Sequence, residues 1–250
     1  MSYIQNVNSF LIHNVLTTPT YIFLPIVAIL YRLFYVCMDT LLYNSPKYIL
    51  LNRDRQYYIM FNMSKSIVLM LLSYLICIGY THNIISMQYI DWSQQTILKN
   101  ITGLYGITDI MPLFVNRKKM MTSTIIHHVC VMFAMCGIII SNLEIIGLSN
   151  AIILYGLFSS LAFIVNGYLG LRFIIHDSNI LYYFKKATFI NYILSCSVNW
   201  AIQSGYLIVY MWNSIYAPFN MFSLLYLLAY ISFLYFWISD DIILMRFLLK

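Results

Sequence analysis

The chain has 250 residues, of which 62% are hydrophobic and only 9% charged, against about 25% charged in an ordinary soluble domain. That scarcity excludes a water-soluble enzyme. The net charge of +6 rests on 14 Lys and Arg residues too scattered to form a phosphate-tracking stripe, which excludes a nucleic-acid binder. The five cysteines (Cys37, Cys77, Cys130, Cys136 and Cys196) lie in apolar stretches without a CxxC pair and read as reduced, buried residues.

Residues 1 to 19 contain no Lys or Arg and no continuous apolar core, so no cleavable signal is expected and the first apolar helix would direct insertion. Crossing the hydrocarbon layer takes roughly 20 mostly apolar residues. Seven stretches meet or approach that length, at about 18–38, 59–80, 99–116, 121–140, 146–170, 187–211 and 217–238. Asp109 and Pro112 interrupt the third. The segment from Ser86 to Leu98 is expected to lie flat on the membrane interface. The organisation that follows is an N-terminal segment with a peripheral first helix (1–54), a six-helix core (55–238) and a short tail (239–250).

Cation placement gives an independent check, because Lys and Arg accumulate on the cytosolic side of membrane proteins. With seven spans, Lys47, Arg53, Arg55, Arg117, Lys118, Lys119, Arg172, Lys185, Lys186, Arg246 and Lys250 share one side, and Lys99 stands on the other. Without the third span the cations would be balanced. The expected fold is therefore an all-α integral membrane protein of about seven transmembrane helices, N-terminus lumenal or external and C-terminus cytosolic. Arg32 and Lys65 fall within spans near the cation-rich side, where a long side chain can snorkel to the headgroups; Lys65 could instead enter the interior and face Asp109.

Ionisable groups at membrane depth are costly and mark function. Asp109 and the pair His127 and His128 stand on consecutive spans, nine residues either side of residue 118, so both sites lie ~13 Å from the turn at 1.5 Å per residue. Adjacent helical residues point about 100° apart. His127 shares its stripe with Ser123, Cys130 and Ala134, whereas His128 shares a more apolar one with Met121, Met132 and Met135, so His127 is expected to face the interior. No metal is expected, since adjacent histidines address different faces and no second acidic or cysteine cluster is apparent. Polar stripes at Ser149, Gly156, Ser160 and Gly167, at Asn191, Ser195, Asn199 and Gln203, and at Ser223, Tyr226 and Tyr230 fit either close helix packing or a lined cavity. Tyr105, Ser160, Asn199 and Tyr226, with Lys65, are the candidate ligand-binding residues.

The run LYGITDIMPLFVNRKKMMTSTIIHHVCVMF (104–133) resembles the centre of the TLC-domain family, with its Gly/Tyr-rich entry, Asp, basic turn and His-His pair. Phe61-Asn62 and Ser160 with Phe163 resemble flanking family features, and the likeness extends over about residues 55–235. The resemblance implies a multipass protein of the endoplasmic reticulum or a related endomembrane, with membrane lipids or acyl chains as partners, no cofactor, and a homodimer as a candidate state. It makes His127, His128 and Asp109 the candidate catalytic residues. Two functions follow: lipid binding or control of lipid composition, and ceramide-synthase-like N-acyl transfer, with acyl-CoA as substrate and His127 as acyl acceptor. The closely spaced synthase His-Asp signature does not follow the histidine pair; His176-Asp177-Ser178-Asn179 resembles it but stands one loop too late.

Overall fold

A computed structural model describes residues 15–79, 92–116, 120, 122–141, 143, 148–216 and 221–250. Among these, nine helices and no strand are found: α1 (Thr20–Leu42), α2 (Pro46–Ile49), α3 (Arg53–Gly79), α4 (Trp92–Asn116), α5 (Thr122–Ile140), α6 (Leu148–Ser160), α7 (Phe163–Leu171), α8 (Ser178–Tyr216) and α9 (Met221–Leu249). Three are long and apolar enough to cross a membrane, namely α1, α5 and the Ser223–Leu249 part of α9, and the bent pair α6 and α7 makes a fourth if it is one span. Their outward faces are apolar: Tyr21, Ile29 and Leu30 on α1 and Leu225, Leu228 and Tyr235 on α9 are exposed. Apolar side chains turned outward over whole helix faces mark a membrane-embedded protein, because in water such surfaces would associate.

α3, α4 and α8 carry more polar residues and owe their place to packing in the bundle. α3 lies along α7, α4 along α5, and α8 along α6. The α3 and α7 contact is close because of Gly170: a Cβ there would stand 2.8 Å from Met63 Cγ and 3.3 Å from the Ile59 carbonyl oxygen.

α6 and α7 are bent by 44° at Leu161 and Ala162, without a proline. A break inside lipid must satisfy the backbone groups it frees. Ser195 Oγ donates to the Phe158 carbonyl at 2.7 Å and Ser66 Oγ to the Phe163 carbonyl at 2.8 Å. Further along, Asn199 Nδ2 donates to the Tyr155 carbonyl and Gln203 Nε2 to the Ala151 carbonyl, and Gln203 Oε1 accepts from Tyr230 Oη at 2.6 Å. The polar stripe of α8 thus holds α6, and in part acts as packing glue.

Three helices depart from their expected limits. Trp92 to Leu98, expected on the interface, continue α4, and Gln95 to Leu98 are buried because Gln95 Oε1 accepts the Leu143 N–H and Ile97 and Leu98 join the main apolar core. Ser86 to Asp91 lie outside the described residues. α8 starts at Ser178, so Lys185 and Lys186 are helical. Asp177 Oδ1 accepts the N–H groups of Asn179 at 2.7 Å and Ile180 at 3.1 Å. The His-Asp sequence at 176 therefore starts a helix. α9 runs on through residues 239–249, expected as a tail, because Asp241 and Leu248 are buried against the bundle.

At one end of the bundle Lys47 Nζ donates to the Ile175 carbonyl, and Arg53 Nη2 pairs with Asp39 Oδ2 at 3.0 Å. Tyr48 Oη donates to Asp39 Oδ1 at 2.6 Å, and burial first, then that bond, hold its phenol far above the ordinary tyrosine range. Arg172 lies against the Tyr58, Phe173 and Phe247 rings. Arg117, Lys118 and Lys119 lie outside the described residues.

Candidate functional site

A partly open cavity of about 650 Å³ lies between helices α3 to α9, within the range of about 300–1,000 Å³ usual for ligand pockets. Leu69, Val165, Leu169 and Leu244 supply apolar wall, and Lys65, His127, His128, Asn199, Asp240 and Asp241 bring polar groups to it. A smaller void of about 40 Å³ lies beyond Tyr105 and His127, with Ser160 and Trp237 in its wall.

Asp109 of α4 is fully buried. It is ion-paired with Lys65 of α3, and its Oδ1 lies 3.0 Å from His128 Nδ1. His127 Nδ1 stands 3.3 Å from Asp240 Oδ2 on α9. The two imidazoles are nearly perpendicular, 86° between planes with centroids 5.4 Å apart. α5 packs on both α4 and α9. The 100° between adjacent residues therefore turns His128 toward the α4 carboxylate and His127 toward the α9 one.

This arrangement corrects two expectations. His127 was expected to be the interior residue and Asp109 its partner, yet both histidines line the cavity and Asp109 contacts His128 more closely. The depth argument placed Asp109 within one residue of its neighbour; the stripe argument failed because α5 packs between α4 and α9, so two of its faces reach the cavity. Adjacent histidines were also expected to address different faces, yet Asp109, His127 and His128 each offer a ligand atom, all within 4.8 Å of one another. Of the two readings of Lys65, the structure has the inward one, with its ammonium on Asp109 and 5.9 Å from the Tyr105 ring centroid.

The other candidates separate. Tyr105 lines both spaces, and Asn199 lines the larger one while bonded to α6. Ser160 is buried with its hydroxyl on the Leu157 carbonyl at 2.6 Å, so it faces only the small void. Tyr226 is bonded to Ser149 at 2.8 Å, away from the cavity.

Sequence reading missed Asp240 and Asp241, which stand just past the last apolar stretch and were placed in the tail. Asp241 accepts hydrogen bonds from Tyr192 Oη at 2.6 Å, Tyr155 Oη at 2.9 Å and Trp200 Nε1 at 3.1 Å. Those three donors on α6 and α8 hold the end of α9 in the register that brings Asp240 to His127. The signal was present as two adjacent acids, Asp240 and Asp241, directly after the last apolar stretch.

No family model, no curated protein and no solved structure matches the chain.

Proposed function

We propose that the protein is a seven-span, TLC-like membrane protein of the endoplasmic reticulum or a related endomembrane, with a cytosolic C-terminus. Its interior would bind a membrane lipid or acyl chain and so act in lipid composition. One observation carries this reading: a cavity of about 650 Å³ with a mostly apolar wall converges on the Lys65, His127, His128 and Asp240 cluster. An amphiphile matches such a wall, its chain along Leu69, Val165 and Leu244 and its polar end at the cluster. Lys47, Arg53 and Arg172 gathered at one end of the bundle support the orientation.

The test is lipid extraction and mass spectrometry of protein purified in mild detergent, beside Ala162→Phe, which narrows the cavity. Wild type should carry a defined lipid class that the variant has lost, while size-exclusion profile and helical content stay equal. Lipid-free wild type, or the same lipid in both folded proteins, refutes the reading.

A second reading, N-acyl transfer from acyl-CoA to a sphingoid or other amine, is favoured by the His127 and Asp240 contact at the cavity wall. A carboxylate beside an imidazole is the arrangement that base or nucleophilic catalysis requires. Microsomes carrying the protein would form labelled amide from acyl-CoA and amine. Formation that survives His127→Ala combined with His128→Ala excludes it.

A further inference from the structure

We propose that Asp109, His127 and His128 hold one divalent transition-metal ion, with Asp240 beside His127. The proposal goes beyond lipid binding and shares its cavity. Asp109, His127 and His128 present ligand atoms within 4.8 Å of one another, and Asp240 Oδ2 stands 3.3 Å from His127 Nδ1. Donors bonded at about 2.0–2.1 Å to a tetrahedral ion lie about 3.3 Å apart along each edge. The three ligand atoms, within 4.8 Å of one another, lie close enough to close on such an ion by small side-chain shifts.

The second observation concerns direction. His127 Nδ1, His128 Nδ1 and Asp109 Oδ2 are all buried and make no aligned hydrogen bond, although carboxylate oxygens stand within 3.3 Å of both nitrogens. An imidazole that only donated to its carboxylate would aim its N–H along that line. Neither Nδ1 does so here, and the two nitrogens and Asp109 Oδ2 are left without a protein partner. Three orphaned polar atoms in one buried place are otherwise costly.

Charge supports a cation there. Two carboxylates face one ammonium, and Lys65 engages Asp109 Oδ1, leaving Oδ2 free. With neutral imidazoles the cluster carries one uncompensated negative charge in an apolar interior, which a metal ion offsets. Two imidazoles and one carboxylate, with a fourth position open, suit Zn²⁺, with Fe²⁺ and Mn²⁺ as competitors.

The test uses full-length protein in detergent, with Zn²⁺ measured by plasma mass spectrometry and Co²⁺ titrated into chelator-stripped protein. Wild type should carry about one ion per chain and give the visible bands of four-coordinate Co²⁺. His128→Asn, which removes a ligand, and Asp240→Asn, which removes the carboxylate beside His127, should each weaken Co²⁺ binding at least tenfold, roughly the least expected for loss of a group that supports a ligand. Stripped wild type without Co²⁺ bands, or folded variants with unchanged affinity, overturns the proposal. If the variants do not fold, X-ray absorption at the zinc edge of wild type decides: imidazole scattering supports the site, and sulfur ligands or oxygen alone refute it. Metal content and extracted lipid are separate readouts, so a metal-free protein that carries lipid, or the reverse, separates this proposal from the functional one.

Discussion

Removing the Asp241 carboxylate is the sharpest test of how the site is held. Asp241 is 8% exposed and accepts from Tyr155, Tyr192 and Trp200. Asp241→Ala would leave three donors without an acceptor on two other helices. Hydrogen bonds between membrane helices contribute about 0.6 kcal/mol each on average, whereas bonds to a charged group in water-soluble proteins reach about 1.5–3. Three of them bracket a loss of about 2–9 kcal/mol. Tyr192→Phe removes one donor, and should cost about 0.6–3 kcal/mol. The assay is unfolding in an SDS titration of mixed micelles, followed by circular dichroism. Tyr235→Phe, on the outward face of α9, serves as the control and should lie within about 0.5 kcal/mol of wild type. If Asp241→Ala unfolds together with that control, the three bonds do not fix α9, and the placement of Asp240 beside His127 needs another cause.

Other substitutions probe neighbouring features with the same titration. Lys65→Met should destabilise by about 3–5 kcal/mol, because it strands the fully buried Asp109 carboxylate, and adding Asp109→Asn should recover much of that loss. Gly170→Ala should cost about 1–3 kcal/mol, since the new methyl meets Met63 and the Ile59 carbonyl; a neutral result would mean that α3 and α7 separate freely. Asp39→Asn should change stability by under about 1 kcal/mol, with the difference shrinking in high salt, because the Arg53 side chain it pairs with is 46% exposed.

Much of the architecture was legible in the chain because lipid leaves few choices. Long apolar stretches with few charges must become helices that satisfy their own backbone, which places α1, α5 and most of α9 directly from sequence. Helix ends were less legible. Polar residues such as Gln95 and Asp241 look like interface or tail until a partner in another helix is known, and those partners, Leu143 and the Tyr155, Tyr192 and Trp200 group, lie tens of residues away.

By itself the sequence determined the all-helical class, the membrane setting and the depth shared by Asp109 and the histidine pair, since composition and a fixed rise per residue control those. Which carboxylate meets which histidine was decided only by tertiary structure. That choice depends on the rotation of α5 between α4 and α9, and on the three hydrogen bonds that hold α9 in register, neither of which has a local periodicity to announce it.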